Sequence, residues 1–145
     1  MQERPGGDGL DAALTRVGDR WSLLIASALL GGAMRFNELQ AALGAIASNV
    51  LTQRLRHLER LGLVVATQYS TRPPRFSYGL TSSGQDLAGA MRLLARWGAE
   101  QAGVPTDGPV HGDCGTALEV HWYCPTCERT VADDEPGDQD TPGFI

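Results

Sequence analysis

A change of hydrophobic period at Gly62 constrains this 145-residue chain more than any other feature. Before it, Leu51, Leu55 and Leu58 recur at helical spacing and predict an α-helix over 48–61. After it, apolar residues alternate with polar ones, which predicts two strands, 63–69 and 76–80, joined by an arginine-bearing turn. A helix followed directly by a hairpin predicts a mainly α-helical fold with a small β-wing.

The predicted helix 48–61 has one polar, cationic face opposite its leucines. At ~100° per residue, four side chains fall within roughly a quarter turn of one another: Asn49, Gln53, Arg56 and Arg60. Thr52 and His57 flank them, and Ser48 is expected to cap the helix by accepting a backbone N–H bond. An apolar-periodic helix ending at Leu43 precedes it across a short turn, which is helix-turn-helix spacing. Such a face is typical either of a solvated surface helix or of a helix that binds DNA.

Several ordered segments between residues 10 and 98 resemble the HxlR family, winged helix-turn-helix transcription regulators related to the MarR group. The segments are DRWSLLIASALLGG, MRFNELQAAL, IASNVLTQRLRHLERLGLV, PPRFSYGLTSSG and LLARWG. The resemblance implies a DNA-binding homodimer whose helix from Ser48 enters the major groove, with the wing from Arg72 to Arg75 against the neighbouring backbone. Two departures stand out: Asn49 replaces a frequent lysine, and 6–9 (GGDG) lacks the oxidant-sensing cysteine of some members.

The residue types on the helix and wing suggest separate tasks. Asparagine and glutamine pair best with adenine and arginine with guanine, so Asn49, Gln53 and Arg56 should read base edges. Phosphate contacts, which position a protein on DNA, should come from the surrounding arginines. The full set expected to bind DNA is Arg35, Ser48, Asn49, Thr52, Gln53, Arg56, His57, Arg60, Arg72 and Arg75.

The formal net charge of −5 does not exclude DNA, because the charges are segregated. Between residues 31 and 80 there are six arginines and two glutamates, whereas from residue 103 onward there are one arginine and nine acids. The local field is what a phosphate meets first. All cations are arginines, which suits bidentate contact with guanine or phosphate and equally fits a GC-rich coding bias.

The other predicted helices carry more apolar surface than one small domain needs. One starts near residue 10, one spans about 20–30 and is apolar all round, and a long one follows Thr81 with a wide apolar stripe. A second subunit is the natural cover, and the expected homodimer contacts are Leu10, Leu14, Leu87, Met91, Leu94 and Trp97. Packing is the favoured interpretation of Trp21 and Trp97. The alternative is a pocket between them for an effector, and a small-molecule or redox effector is expected as a partner.

Two pairs of metal-ligand type lie near the C-terminus. His111 and Cys114 form an H-x-x-C pair, and Cys124 and Cys127 form a C-x-x-C pair. These four match the closed tetrahedral Cys₃His set of a structural zinc site, so we expect one zinc ion per chain. The alternatives are a metal-free redox pair at Cys124 and Cys127, and His121 in place of His111 as the fourth ligand.

The chain therefore divides into five predicted parts: a flexible arm (1–9), a winged helix-turn-helix DNA-binding and dimerisation domain (10–102), a linker (103–110), a zinc-ribbon-like β appendage (111–132) and an acidic disordered tail (133–145). Lacking any apolar run of ~20 residues, the protein is expected to be cytoplasmic. The alternative function is a protein-interaction module whose winged domain carries a partner-docking zinc ribbon. An enzyme is not expected, since His57 and His111 have no nearby nucleophile or paired carboxylate.

Overall fold

The computed structural model describes residues 7–105, 108–132 and 135. In chain order the elements are α1 (Gly7–Val17), α2 (Arg20–Leu29), β1 (Met34–Arg35), α3 (Phe36–Leu43), α4 (Ser48–Arg60), β2 (Val64–Thr71), β3 (Pro74–Leu80), α5 (Ser82–Gln85), α6 (Ala88–Ala102), β4 (Trp122–Cys124) and β5 (Arg129–Val131). Strands β1, β3 and β2 form one antiparallel sheet in that order, and β4 pairs with β5 in a separate hairpin. The predicted fold class, mainly α-helical with a small β-wing, is confirmed, and the segment predicted as a zinc-ribbon-like β appendage contains a β hairpin.

The core lies where α2, α3 and α4 meet. Six of its side chains are no more than 1% exposed: Ile25, Leu29, Leu39, Leu51, Leu55 and Leu58. Three of them come from α4 at a spacing of three or four residues, so a whole stripe of this helix faces inward. Ile46 from the preceding turn and Val64 from β2 extend the same cluster. This burial fixes the rotation of α4 and leaves its opposite face to solvent.

The turn between α3 and α4 corrects the prediction for Ser48. Gly44 ends α3 in a left-handed conformation (φ 72°), and Ala47 is the N-cap of α4 without a side-chain hydrogen bond. Ser48 is already the first residue of the helix, and its Oγ accepts a 2.9 Å hydrogen bond from Gln40 Nε2. The predicted cap was wrong by one residue, and the hydroxyl instead joins the two helices.

The wing contains one strand more than the sequence predicted. Gly62 follows the C-cap of α4 with a φ of 72°, as expected, and β2 then pairs with β3 through a register shift between Gln68 and Ser70. The additional strand is β1, whose Met34 lies opposite Tyr78 of β3. Two residues are too short for a periodic signal, which is why this strand was not predicted.

The base of the wing is clamped to α5. Thr81 N donates to Leu63 O at 3.0 Å, and its hydroxyl donates to Gly62 O at 2.6 Å and accepts from Gly84 N at 3.1 Å. Gly84 is buried, and a Cβ added there would lie 2.2 Å from Leu63 O. The approach of α5 to the wing therefore requires glycine at this position.

Two helix boundaries differ from expectation. Helix α1 begins at Gly7, so the predicted arm 1–9 overlaps the helix by three residues, and residues 1–6 lie outside the described part. The long helix predicted after Thr81 is divided, because α5 ends at Gln85 and Leu87 is the N-cap of α6. No helix in the described ranges is both long and apolar enough to cross a membrane.

The C-terminal appendage, residues 108–132, has no buried core. An isolated bridge joins Val110 to Ala117, and Cys124 lies opposite Arg129 in the β4–β5 hairpin. No residue from 108 to 132 is buried. The predicted linker 103–110 thus ends inside the first bridge, and the predicted acidic tail 133–145 lies outside the described residues apart from Glu135.

Candidate nucleic-acid interface

The outer face of α4 carries the four side chains that the sequence assigned to it. Asn49, Gln53, Arg56 and Arg60 are all exposed, opposite the buried leucines. Among the described residues, these four side chains make no hydrogen bond or ion pair within the chain. Thr52, at the edge, is partly buried, and its hydroxyl donates to Ser48 O at 2.9 Å. Amides and guanidinium groups without internal partners keep their donors and acceptors for a ligand.

Arg54 differs from the neighbouring arginines because it faces another helix. Its Nε lies 3.5 Å from Oδ1 of Asp19, close enough for an ion pair but without hydrogen-bond geometry. Asp19 is the N-cap of α2 and accepts from the backbone N–H groups of Trp21 and Ser22 at 3.1 and 3.0 Å. Burial raises the pKa of Asp19, but hydrogen bonds from Ser22 and the charge of Arg54 outweigh it and hold the pKa below its ordinary value. This pair secures α4 against the start of α2.

His57, on the flank of the cationic face of α4, contacts helix α1. Its Nε2 lies 2.8 Å from the carbonyl oxygen of Arg16 in the last turn of α1. A carbonyl only accepts, so this bond requires the proton on Nε2. The sequence placed His57 on the flank of the cationic face, and in the structure its partly buried side chain contacts the end of α1 there. One ring nitrogen of His57 is thus engaged within the chain, and a contact of this residue with DNA stays a prediction.

Arg35 and the wing form a second basic surface. The guanidinium of Arg35 stacks over the ring of Tyr69 at 4.7 Å, a cation–π contact, and its backbone N donates to Glu38 at 2.7 Å. An open cavity of about 510 Å³ adjoins the stack and is also lined by Asn37 and Arg75. Two arginines distant in sequence thus converge on one concave surface. Asn37 and Tyr69 were not predicted as site residues; Tyr69 lies at the register shift of β2, which periodicity does not locate.

The tip of the wing carries the remaining predicted cations. Arg72 lies in the connection between β2 and β3, next to Pro73, and Arg75 pairs with Ser70 across the hairpin. Both arginines are exposed. Ser70 Oγ donates to Pro73 O at 2.9 Å and closes the tip. Exposed arginines therefore occur in the sequence both before α4, at the start of α3, and after it, on the wing.

The predicted dimer residues separate into two groups. Leu10, Leu14, Leu94 and Trp97 are between 53% and 65% exposed, on α1 and α6. Met91 is only 8% exposed and Leu87 is partly buried against the core of its own chain, so these two offer less surface to a partner. Trp21 also packs against the core, whereas Trp97 is exposed, so the two tryptophans do not enclose a buried pocket.

The four predicted zinc ligands form two separate pairs. In the first pair, His111 Nδ1 lies 3.4 Å from Cys114 Sγ. In the second pair, hydrogen bonds from the backbone and side chain of Cys127 to the Cys124 sulfur lower the pKa of Cys124. The side-chain contact with Cys124 raises the pKa of Cys127. All three cysteines are free. Within 7–105, 108–132 and 135, no group of three or more His, Cys, Asp or Glu residues is placed to hold a metal ion. The alternative ligand His121 pairs with Glu119 at 3.0 Å.

The helix-turn-helix and wing identify the family when compared with known proteins. A family model described as HxlR-like helix-turn-helix matches residues 16–105. The chain belongs to the HxlR family. An uncharacterised HTH-type transcriptional regulator of Mycobacterium tuberculosis is 35% identical, over 99% of this chain and 92% of its own length. The family model ends at residue 105, whereas the alignment with this relative covers 99% of the chain and so includes the appendage.

Solved structures agree with this assignment. A Pseudomonas aeruginosa structure assigned as a transcription factor is 32% identical, with a TM-score of 0.64 over 92% of each chain. The redox regulator HypR in its reduced form is 28% identical, with a TM-score of 0.62 over 66% of this chain and 94% of HypR. This HxlR protein is thus a DNA-binding transcriptional regulator, and the alternative of a partner-docking module is not favoured. These relatives are named as transcriptional or redox regulators or as a transcription factor.

Proposed function

We propose that two copies of this HxlR regulator bind an inverted-repeat operator, with α4 of each copy in a major groove. The observation that carries the proposal is the exposed face of α4, whose amide and guanidinium groups make no hydrogen bond or ion pair among the described residues. In this arrangement Asn49 and Gln53 contact adenine and Arg56 contacts guanine, because these pairings satisfy two hydrogen bonds at once. Each half-site should therefore contain both bases.

Arginines around the helix supply the phosphate contacts in this proposal. Arg60 lies at the end of α4, Arg35 at the start of α3, and Arg72 and Arg75 on the wing, all exposed. The stack of Arg35 on Tyr69 restricts a side chain that otherwise loses rotamer freedom on binding. Such contacts fix the position of the protein on the duplex without reading sequence.

The salt dependence of binding tests the DNA-binding surface. If roughly four to eight phosphates are neutralised per dimer, the logarithm of affinity should fall with the logarithm of salt at about −0.9 per phosphate. Fluorescence anisotropy with a labelled duplex measures this slope. Arg75→Ala should reduce it, whereas Arg92→Ala, which removes an exposed arginine of α6, should not. A flat response in the wild type would contradict the proposal.

The homodimer in this proposal uses the exposed apolar side chains of α1 and α6. Leu10, Leu14, Leu94 and Trp97 remain uncovered in a single chain, and two-fold symmetry brings the same patch from two copies together. The half-sites should then lie about one helical turn, ~10 bp, apart. Sedimentation should show a dimer that Leu94→Glu disrupts and that the matched exposed change Leu118→Glu, in the appendage, leaves intact. A wild-type monomer at micromolar concentration would contradict it.

A redox signal is the effector that the cysteines favour. HypR, a structural relative, is a redox regulator. All three cysteines of the present chain lie in the appendage and are free, so in the metal-free appendage a two-electron oxidant would join Cys124 to Cys127 as a disulfide, with two electrons passing to the oxidant and two thiol protons released. Treatment with a thiol oxidant should change DNA affinity in the wild type but not in Cys124→Ser. Equal affinity before and after oxidation would remove this part of the proposal.

A further inference from the structure

We propose that the C-terminal appendage binds one Zn²⁺ ion per chain through His111, Cys114, Cys124 and Cys127. This inference goes beyond DNA binding, since none of these residues lies on the helix-turn-helix or the wing. It depends on the geometry of two turns, 111–115 and 124–128, each of which carries two of the four side chains.

The two turns share one backbone design. In each, two ligand side chains are three residues apart, and the next residue is left-handed: Gly115 (φ 69°) after Cys114, and Glu128 (φ 53°) after Cys127. Glu128 is the only residue other than glycine with a positive φ in the described chain. Residues with a Cβ disfavour a positive φ, so Glu128 adopts this conformation against its intrinsic preference. A repeated turn of this kind points to a common ligand.

The hydrogen bonds of each turn hold the pairs in place. His111 N donates to Thr116 O, and Gly115 N donates to His111 O, both at 2.8 Å. The bridge between Val110 and Ala117 closes this first turn, and the pairing of Cys124 with Arg129 closes the second. Each pair is therefore presented by a short antiparallel hairpin.

The first pair already has the spacing that zinc requires. A Zn–S bond of ~2.3 Å and a Zn–N bond of ~2.0–2.1 Å at the tetrahedral angle place the two ligand atoms about 3.6 Å apart. The observed separation of His111 Nδ1 and Cys114 Sγ is 3.4 Å. Asp113 Oδ2 lies 3.9 Å from the other ring nitrogen, beyond hydrogen-bond distance, and would have to move closer to orient a metal-bound imidazole. Thr116 Oγ1, 3.2 Å from the sulfur, can donate to a thiolate.

Burial does not hold the appendage together. Five large apolar side chains in it are 51% to 66% exposed: Val110, Leu118, Val120, Trp122 and Tyr123. So little buried surface does not offset the entropy of ordering a segment of this length. Small domains without a sufficient buried core are commonly stabilised by a structural metal ion, whose binding free energy contributes directly to the free energy of folding.

Binding requires the two hairpins to approach each other. The pairs are separate in the structure, since no three candidate ligands among the described residues are gathered at one point. Residues 119–121, which connect the hairpins, are neither helical nor extended in a sheet, and in this proposal they are where the chain bends to bring the pairs together. His121 lies in this connection, paired with Glu119, and is the competing fourth ligand.

Zinc content is the direct test. The full-length protein, purified without chelators and with reduced thiols, is compared by elemental analysis with Cys124→Ser, His111→Ala and His121→Ala. The last is a matched control, because the two histidine side chains are 54% and 55% exposed. One equivalent of zinc is expected in the wild type and in His121→Ala, and its loss in the other two. A metal-free wild type would overturn the site, and zinc lost from His121→Ala but kept in His111→Ala would overturn the fourth ligand.

A second measurement separates this site from any metal elsewhere. Removal of zinc with a chelator should leave the helical circular dichroism signal unchanged, since none of the four ligands lies in α1–α6. Co²⁺ added in its place should give the thiolate charge-transfer absorption of a tetrahedral site, absent in Cys124→Ser. Loss of the helical signal on chelation, or cobalt spectra without thiolate absorption, would overturn the proposal. Neither measurement involves DNA, so the zinc proposal is tested independently of the proposed operator binding.

Discussion

The winged domain and the C-terminal appendage use apolar residues in opposite ways. In the winged domain, residues such as Leu51 and Leu55 are almost completely buried, whereas in the appendage Leu118 and Trp122 are more than half exposed. The difference arises from periodicity, since an apolar residue every three or four positions builds a face that another helix can cover. Apolar residues scattered without this spacing in a short segment do not form such a face. The winged domain therefore has a buried core of its own, whereas no residue of the appendage is buried, and the proposed zinc ion would supply the stability that burial does not.

The largest expected effect is the loss of a core side chain from the winged domain. Leu55→Ala removes a residue that is 1% exposed and leaves a cavity, so it should lower the free energy of unfolding by about 2–5 kcal/mol. Urea denaturation followed by helical circular dichroism measures the loss. The matched change Leu118→Ala, at a residue that is 51% exposed, should stay within about 0.5 kcal/mol. Similar costs at both positions would remove the distinction between the two regions.

A smaller effect is expected when a base-contacting arginine of the winged domain is removed, because DNA binding is assigned to this domain and not to the appendage. Arg56→Ala should reduce discrimination at one base pair by about 1–3 kcal/mol, because a bidentate contact with guanine is lost. Arg75→Ala should instead weaken binding to all duplexes alike. Selection of bound sequences from a random duplex pool, followed by anisotropy titrations, distinguishes the two variants. The reverse pattern would place the wing, and not α4, against the bases.

The capping carboxylate of α2 should contribute less than the core. Asp19→Ala removes hydrogen bonds to two backbone N–H groups and should cost about 0.5–2 kcal/mol. The folded pKa of Asp19 is lowered, so its contribution is complete above the unfolded pKa and is lost as pH falls through the folded value. The wild type and Asp19→Ala should therefore converge in stability under acid. Asp11→Ala, at an exposed position of α1, is the control that should show no such convergence.

The smallest effect is expected for the ion pair of the appendage. Arg129 pairs with Glu135, and this contact lowers the pKa of the Glu135 carboxyl. Surface pairs are screened by water and contribute little, so Glu135→Gln should leave the melting temperature of the protein unchanged. Differential scanning calorimetry is sufficient to check it. A decrease as large as that of Asp19→Ala would mean that the appendage is coupled to the winged domain.

The sequence was sufficient for α4 because one helix period determines both of its faces. Once Leu51, Leu55 and Leu58 are buried, the positions of Asn49, Gln53 and Arg56 follow from geometry alone. The same logic located the wing after Gly62. These predictions depend on local repetition, which a single sequence contains.

The remaining residues depend on contacts between segments that are distant in the chain. His57 has the right angle on α4 for a flank of the reading face, but its neighbour is the carbonyl of Arg16, which no local pattern reveals. Met91 and Trp97 belong to one apolar stripe of α6, yet the first is covered by its own chain and the second is not. A hydrophobic pattern shows that a surface needs cover without showing which surface provides it.

Gly84 gives the wing an unusual sensitivity to mutation. A single methyl group at this position would meet Leu63 O at 2.2 Å, well inside any tolerable separation, so the backbone at the base of the hairpin would have to give way. From that pivot β3 extends for seven residues, roughly 23 Å at ~3.3 Å per residue. A slight tilt at the base would swing Arg72 through a much wider arc at the tip. Natural variants should keep glycine here, because an alanine would redirect the wing while leaving every arginine on it intact.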